Sequence, residues 1–358
     1  MKTFHCDTCG QHVFFENVVC ENCGSMLGYQ PDLMLVNAYE AAIEAGIWRG
    51  INPANAGKKY KQCKNYTEMQ VCNWMLDADS PHELCASCQL TQIIPELTNS
   101  NNRVYWERLE SAKRRLLYTL AELNLFPPSK ADDPVRGLAF EFLDSVPGGE
   151  PVLTGHADGL ITLNIAEANP VVRERTREQM HEPYRTLLGH FRHESGHYYF
   201  DRLIAGTHWE AGFRTLFGDE RLDYQQALEA HYANGPAVDW NQNFISSYAG
   251  SHPWEDWAES WAHYLHMIDT LETSQACGLS ATPQKNTEPR LDLAAAVNAP
   301  LVADVAFDNL IKNWLALTYV LNSLSRSVGV ADSYPFMLSP KVIEKLRFID
   351  SMLQAQRP

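Results

Sequence analysis

The sequence is poor in basic residues and has no long apolar segment. Its 358 residues include 29 Lys and Arg against 44 Asp and Glu, which gives a formal net charge of −15. This acidic balance argues against nucleic acid or an anionic membrane surface as a partner, because both require a positively charged surface. No apolar run reaches the roughly 18 residues that a membrane-spanning helix needs, so we predict no transmembrane segment.

The sequence also lacks the apolar core of a signal peptide. Cys6 and Asp7 already stand in its opening stretch, MKTFHCD, where a secretory signal would be basic and then apolar. We therefore expect a cytoplasmic protein. Because that compartment keeps thiols reduced, the nine cysteines are predicted to bind metal rather than to form disulfides. Eight of them precede residue 89, and Cys277, which stands alone, is predicted to be a small buried apolar side chain.

Two C-x-x-C-G turns lie close to the N-terminus, with ten residues between Cys9 and Cys20. Each turn can offer two thiolates to one zinc ion, and four sulfurs complete a tetrahedral structural site. The segment between the turns, QHVFFENVV, is apolar and β-branched enough to form a strand. A redox role for a single C-x-x-C is the competing interpretation, but two matched turns favour one shared metal. We predict a zinc ribbon over residues 1–30 with the ligands Cys6, Cys9, Cys20 and Cys23.

A second group of cysteines is spread over residues 31–96. Only its last pair, in LCASC, has the tight spacing of zinc ligands. His82 lies near this pair and is an alternative ligand. The competing interpretation is that the first two cysteines are core thiols and that no second metal binds. We predict a second structural zinc site formed by Cys63, Cys72, Cys85 and Cys88.

Helical patterns connect these cysteines to the rest of the chain. Apolar residues recur at three- and four-residue steps from Asn101 to Phe126, and a proline pair ends the run. We therefore assign residues 97–128 to a connecting helix. Periodic apolar helices also fill the C-terminal region, residues 276–358, which offers no chemistry of its own.

The segment between these helices, residues 129–275, is predicted to be the catalytic domain. Within it, residues 152–165 are predicted to form a turn, bracketed by Gly155 and Gly159, and then a strand. This strand is either an exposed edge that pairs with an extended peptide or a plain core strand.

The pentapeptide HESGH, residues 193–197, is an H-E-x-x-H motif. In a helix, the four-residue spacing stacks His193 and His197 on one face, so their imidazoles can converge on one metal ion. Glu194 lies beside them, placed to take a proton from a water that the metal activates. The alternative is a polar helix that binds no metal.

A catalytic zinc needs a third protein ligand and an open position for water. Residues 198–207 contain no histidine, so the third ligand is predicted to be a carboxylate from elsewhere. The candidate is a helix that starts at about Pro253 in SHPWEDWAESWAHYLH. Its apolar face is formed by Trp254, Trp257, Trp261 and Leu265. Another face carries Glu255, Glu259 and His263. A partly buried carboxylate needs a partner, and zinc is one, although Glu259 and His263 could also be an ordinary exposed pair.

The two pieces HESGH and EDWAESW together resemble the gluzincin metallopeptidases. The resemblance implies that Glu255 is the third zinc ligand and that Glu259 orients a zinc-bound histidine through its ring N–H. The stretch SYAGSHPWEDWAESW is also similar to the active-site helix of lethal-factor-like peptidases. That similarity implies that Tyr248 faces the zinc, where its phenol can hydrogen-bond the oxyanion of the reaction. We expect His263 to assist Tyr248 in this role. Asp201 matches an acid beside the second histidine of thermolysin-like enzymes, with a surface or capping role as the alternative.

Taken whole, the chain resembles a bacterial family of zinc-binding metallopeptidases with an N-terminal zinc ribbon. The resemblance implies an α+β, mainly helical fold, in which the ribbon region precedes a zincin-like domain with a small sheet and a helical C-terminal part. It also implies one catalytic and one or two structural zinc ions, and a peptide or protein substrate. Closed four-sulfur sites have no open position for chemistry, so both cysteine groups are assigned to folding and to docking a protein partner or substrate.

Three alternatives stay open at this point. The interval between His197 and Glu255 contains 57 residues, longer than in compact gluzincins, which leaves Asp256 or Glu259 open as the ligand. The chain could also be a catalytically inert adaptor that binds a partner through its ribbon. A non-peptide amidohydrolase with the same zinc would have the same motifs.

Overall fold

The computed structural model describes residues 1–145, 152–180, 182–282, 290–291 and 303–356. The chain divides into two compact units, one formed by Lys2–Glu174 and the other by Met1 together with Arg175–Pro358. The first unit holds all the described strands apart from isolated bridges, and the second is helical. The predicted α+β class with an N-terminal cysteine-rich region is confirmed, whereas the finer division into five segments stays a prediction.

Eleven short strands form three sheets in the described part of the first unit. They are β1 (Phe4–His5), β2 (His12–Val13), β3 (Met26–Gln30), β4 (Leu35–Ala41), β5 (Ile47–Gly50), β6 (Lys59–Gln62), β7 (Met75–Asp77), β8 (Thr91–Ile93), β9 (Ala139–Leu143), β10 (Gly155–Ala157) and β11 (Leu160–Asn164). Strands β1 and β2 pair with each other, and β3 to β7 form an antiparallel sheet in chain order.

The described helices lie mostly in the second unit. They are α1 (Lys64–Thr67), α2 (Ala86–Gln89), α3 (Ser100–Glu122), α4 (Pro170–Gln179), α5 (Leu187–Leu203), α6 (Glu210–Leu216), α7 (Tyr224–Asn234), α8 (Trp240–Asn243), α9 (Pro253–Ala276), α10 (Ala303–Ser327) and α11 (Pro340–Ala355). Short 3₁₀ helices add Ile165–Ala168 and Tyr248–Gly250. No described helix is long and apolar enough to cross a bilayer.

The segment between the two C-x-x-C turns is less extended than predicted. Only His12 and Val13 form a strand, β2, and the chain then turns through a hydrogen bond from Asn17 N to Phe14 O. Phe15 is buried and packs edge-on against Tyr29, with ring centroids 4.8 Å apart. Val13 and Phe15 of this segment are therefore buried in the core of the first unit, whereas Phe14, Val18 and Val19 are exposed.

The third sheet has four strands in the order β10-β11-β9-β8, in which β9 pairs in parallel with both β8 and β11. The turn between β10 and β11 is Asp158–Gly159, and both residues have positive φ, 49° and 76°. Gly155 lies in β10 rather than at the turn. Strand β11 is internal, so the hypothesis that it is an exposed edge was wrong and the alternative of a core strand holds. The edge strands of this sheet are β10 and β8.

The predicted connecting helix is α3, which ends earlier than the proline pair. Asn124 has a positive φ of 58°, just after the helix end, and this conformation stops the helix one turn before the prolines. Lys113 on α3 is fully buried, pairs with Glu110 at 2.8 Å and lies over the ring of Phe140. Helix α3 therefore packs on the sheet through a charge that is paired and covered by aromatic rings.

Helices α5 and α9 pack closely in the second unit and carry the H-E-x-x-H motif and the carboxylates. A Cβ on Gly196 would lie 2.8 Å from the Cα of Ala258, so only glycine permits this approach. The indole N–H of Trp257 donates to Gly196 O at 2.8 Å, and that of Trp261 donates to Ser195 Oγ at 3.1 Å. These contacts fix the register of the two helices.

Helix α11 supports the other side of α9. The ammonium of Lys345 donates to Asp256 Oδ2 at 2.6 Å, and both groups are buried. Tyr264 donates to Asp350 at 2.7 Å. At the C-terminal end of α9, Cys277 is exposed. The prediction that this thiol is buried was wrong, because it caps the helix instead of facing the core.

Candidate metal centres

The four ribbon cysteines converge in the first unit. Cys6 Sγ lies 3.6 Å from Cys23 Sγ, and Cys9 Sγ lies 3.7 Å from Cys20 Sγ. A zinc–sulfur distance of about 2.3 Å in a tetrahedron places sulfurs about 3.8 Å apart, so these thiols fit one zinc ion. Gly10, with φ of 74°, closes its turn with an amide that donates to Cys6 O.

The second four-cysteine group is more deeply buried. All its members are at most 4% exposed, and their sulfurs lie within 4.8 Å of one another: Cys63, Cys72, Cys85 and Cys88. Backbone amides support two of the sulfurs, since Cys85 N donates to Cys63 Sγ at 3.3 Å and Trp74 N donates to Cys72 Sγ at 3.4 Å. His82 is exposed and does not belong to the group. The first two cysteines are therefore not isolated core thiols.

Capping residues fix where two helices, α5 and α9, begin. These helices carry the residues of a third candidate metal centre. Thr186 accepts a hydrogen bond from Gly189 N at 2.9 Å and starts α5 just before the histidines. His252 accepts from Trp254 N at 3.1 Å, and Pro253 occupies the first turn of α9. The predicted start of this helix at Pro253 is confirmed, and it places Glu255 in the first turn.

Two histidines and one glutamate come together between these helices. His193 Nε2 lies 2.9 Å from Glu255 Oε2, and His197 Nε2 lies 3.5 Å from Glu255 Oε1. The ligands of a tetrahedral zinc with bonds of about 2.0 Å stand about 3.3 Å apart, so the observed separations suit this ion. Asp256, the neighbouring candidate, points instead to Lys345.

The outer nitrogen of His193 is held by Glu259. His193 Nδ1 lies 2.8 Å from Glu259 Oε1, and Ser246 Oγ donates to Glu259 Oε2 at 2.6 Å. A carboxylate only accepts hydrogen bonds, so Nδ1 carries the proton and Nε2 keeps its lone pair when the ring is neutral. Glu259 is thus engaged with the site and is not part of an exposed surface pair.

This arrangement requires a positive charge between His193 and Glu255. Glu255 Oε2 is buried and has no hydrogen-bond donor among the described residues, yet it faces the Nε2 lone pair of His193. Burial opposes a charge on His193, but Glu255 and Glu259 together hold the pKa of this imidazole well above its ordinary value. A divalent cation satisfies the same pair of acceptors, so the donor set fits a zinc ion.

Glu194 lies on the same helix as the two histidines and is 7% exposed. Burial raises the pKa of its carboxyl above the ordinary value, although His193 and His197 act in the opposite direction. A base with a raised pKa accepts a proton more readily, which suits general base chemistry.

The remaining predicted residues lie at different distances from this centre. The rings of Tyr248 and His193 have centroids 5.9 Å apart, so the tyrosine borders the site. His263 is buried, and its Nδ1 lies 2.7 Å from the hydroxyl of Tyr334. Asp201 is exposed, one turn beyond His197. The roles assigned to these side chains stay predictions.

The structure adds three residues that the motifs did not indicate. Tyr224 donates from its hydroxyl to Glu255 Oε1 at 2.6 Å, and Ser246 supports Glu259. Trp254, which was assigned to the apolar face of α9, instead lies against His197 with ring centroids 4.0 Å apart. Tyr224 comes from a stretch without any motif, and the only signal for Ser246 was its place two residues before Tyr248.

Comparisons with known proteins agree with this geometry. A family model described as "Putative zinc-binding metallo-peptidase" matches residues 102–352, more than half of the chain. The chain belongs to this metallopeptidase family. A zinc-ribbon domain model matches residues 3–99, which contain both four-cysteine groups. The predicted zinc-binding family with an N-terminal ribbon is therefore confirmed.

Relatives of this metallopeptidase-family protein occur in mycobacteria. Uncharacterized proteins of Mycobacterium bovis and of two Mycobacterium tuberculosis strains are each 43% identical over 361 residues, covering 100% of this chain and 97% of the relative. No match was found among solved protein structures.

Proposed function

We propose that this protein is a zinc-dependent peptidase whose zinc is held by His193, His197 and Glu255. The proposal depends on one observation: ligand atoms of these three residues lie within 4.8 Å of one another. Glu194 lies on the same helix as the two histidines. Membership of the metallopeptidase family supports the reaction class. Peptide or protein is the corresponding substrate.

Glu194 is the general base of the proposed reaction. A zinc ion bound by the three ligands would supply Lewis-acid polarisation of a water molecule and of the scissile carbonyl. Glu194 takes the proton of the attacking water and later passes it to the leaving amine. Its burial keeps the carboxylate from being fully solvated, which makes it a stronger base.

Two further side chains support this chemistry. Tyr248 donates a hydrogen bond from its phenol to the oxyanion that develops on the scissile carbonyl. Glu259, itself held by Ser246, fixes the ring and the tautomer of His193. His263, whose Nδ1 lies 2.7 Å from the hydroxyl of Tyr334, is proposed to assist Tyr248. For Asp201 we propose only a role at the surface beyond His197.

The two cysteine groups are assigned to folding of the first unit and to docking a substrate or protein partner. Four-sulfur sites leave no coordination position open for a reaction. The nine-residue stretch between the C-x-x-C-G turns exposes three apolar side chains, Phe14, Val18 and Val19, which such a partner can contact.

The variant Glu194→Gln tests the proposed reaction directly. It keeps the size of the side chain but removes the base, so hydrolysis of casein or of a peptide library should fall by about 10²- to 10⁴-fold. Metal analysis should find the same zinc content as in the wild type. Unchanged hydrolysis in this variant would exclude Glu194 as the base.

The matched variants Glu255→Ala and Glu259→Ala test the ligand assignment in the same preparation. Glu255→Ala should lose one zinc ion per chain, whereas Glu259→Ala should weaken zinc binding without removing a ligand. Loss of one zinc from Glu259→Ala and none from Glu255→Ala would reverse the assignment. A wild-type protein with full zinc and no hydrolysis of any peptide would favour an inert adaptor or a non-peptide amidohydrolase.

A further inference from the structure

Besides the two histidines, the hydroxyl of Tyr224 also contacts the proposed ligand Glu255. It donates to Oε1 at 2.6 Å, from the first residue of α7. Glu255 is 1% exposed, so this carboxylate depends on protein groups and metal for its hydrogen bonds and charge balance. The reaction described above gives the Tyr224 hydroxyl no part.

The two oxygens of Glu255 have different surroundings. Oε2 faces His193 Nε2 at 2.9 Å and has no hydrogen-bond donor among the described residues. Oε1 accepts a hydrogen bond from the Tyr224 hydroxyl and lies farther from a ligand nitrogen, 3.5 Å from His197 Nε2. A donor on one oxygen favours metal binding through the other, because the hydrogen bond occupies a lone pair and reduces the charge on the first oxygen.

Ring contacts of Tyr224 itself hold it in this position at the start of α7. The Tyr224 ring lies 5.3 Å from that of His252 and 5.8 Å from that of Trp254, both in the region where α9 begins. Asp223 caps the start of the helix, because its carboxylate accepts a hydrogen bond from Gln226 N at 2.9 Å. None of the α7 side chains is fully buried. Tyr224 is the α7 residue whose side chain hydrogen-bonds the proposed ligand Glu255.

We propose that Tyr224 is a positioning residue for the zinc ligand Glu255. Its hydroxyl holds Oε1 and leaves Oε2 to bind the metal beside His193. The proposal rests on the zinc site of the proposed function but not on peptide hydrolysis. It differs from the role of Tyr248, which borders the same centre through its contact with His193 and acts on the reacting carbonyl.

The variant Tyr224→Phe tests this role, because it removes only the hydroxyl. Loss of an outer hydrogen-bond partner of a metal ligand lowers metal affinity by about 10- to 100-fold. We expect a loss of that size at the catalytic site, measured on the full-length protein by zinc competition with a chromophoric chelator. The two zinc ions of the cysteine groups should stay bound, which also reports that the variant is folded.

Tyr319→Phe is the control for removal of a phenol hydroxyl. Tyr319 lies on α10 and is 50% exposed, so the same chemical change there should leave zinc affinity unaltered. Zinc affinity of Tyr224→Phe within about twofold of the wild type would overturn the proposal. An equal loss in Tyr319→Phe would also overturn it, because the effect would then not depend on the hydroxyl at Glu255.

Peptide hydrolysis separates this role from direct catalysis. If Tyr224 acts through Glu255, excess zinc should restore the kcat of Tyr224→Phe to a large extent, with KM unchanged. A low kcat at saturating zinc, with normal zinc affinity, would overturn the proposal and place the hydroxyl on the substrate. If the wild type hydrolyses no peptide while Tyr224→Phe loses zinc affinity, the proposed function fails and the positioning role stands.

Discussion

Tyr248 is suited to donate a hydrogen bond at neutral pH. Burial, with a further contribution from Glu255, raises the pKa of its phenol far above the ordinary value, so the hydroxyl keeps its proton. The ring borders His193. A protonated phenol next to the proposed ligands can meet the negative charge that forms on a carbonyl oxygen.

The variant Tyr248→Phe should therefore lower kcat and leave zinc binding intact. Removal of one oxyanion donor reduces kcat by about 100- to 1,000-fold. The measurement is steady-state hydrolysis of a peptide at saturating zinc, with metal content determined on the same sample. Together with Tyr224→Phe it separates two neighbouring phenols, since one variant should respond to added zinc and the other should not. A Tyr248→Phe variant with wild-type kcat would remove the residue from the mechanism.

At the scale of elements, the α5–α9 pair decides whether the metal centre forms. The histidines lie on one helix and the carboxylates on the other, so the distance between the helices sets the distance between ligands. Gly196, between the two histidines in the motif, permits the close approach to Ala258. A methyl group there forces the helices apart, because the nearest atom belongs to the backbone.

The variant Gly196→Ala is expected to destabilise the second unit by about 1–3 kcal/mol through overpacking. In an exposed helix the same change stabilises by about 1 kcal/mol. The sign of the change in the free energy of unfolding therefore distinguishes overpacking from helix propensity. The measurement is the midpoint of thermal unfolding together with zinc affinity of the catalytic site, which should fall as well. Gly155→Ala is the control, because a Cβ there meets no atom within 4 Å. A stabilised Gly196→Ala variant would contradict the packing described above.

At the scale of the whole molecule, the three centres differ in their access to solvent. The ribbon exposes Cys9 and Cys23, whereas the second cysteine group is buried throughout. Exposed thiolates react with a thiol reagent before buried ones do. Cys277 is also exposed but belongs to none of the metal-binding groups found among the described residues.

Titration with an organic mercurial should consequently release zinc from the exposed cysteine group before the buried one. Cys277 should react first without any release, the ribbon zinc should follow, and the zinc of the second group should appear only after unfolding. A chromophoric chelator measures the release, and metal analysis before titration is expected to give about three zinc ions per chain. The variant Cys277→Ser should lack the silent first phase. Simultaneous release from both cysteine groups would show that their burial does not control access.

The sequence by itself determined the parts of this protein that depend on short spacings. Two C-x-x-C turns, an H-E-x-x-H motif and a helix that starts at Pro253 were predicted from neighbours within a few residues. These features follow from turn geometry and from the 3.6-residue helical period, which the chain obeys locally. The residues His193, His197 and Glu255 were named from the motifs and from family resemblance, and they lie together in the structure.

Only the tertiary structure decided which distant side chains meet. In the structure Asp256 contacts Lys345 and Glu255 contacts the histidines. Consecutive residues of a helix point about 100° apart, so these two neighbours face different partners. The tertiary structure also placed the Tyr224 hydroxyl on Glu255, across 31 residues of chain. Such contacts depend on how whole helices pack and not on any local pattern. Packing also decided that β11 is an internal strand, one of the two possibilities that the sequence left open. It left Cys277 exposed, against expectation.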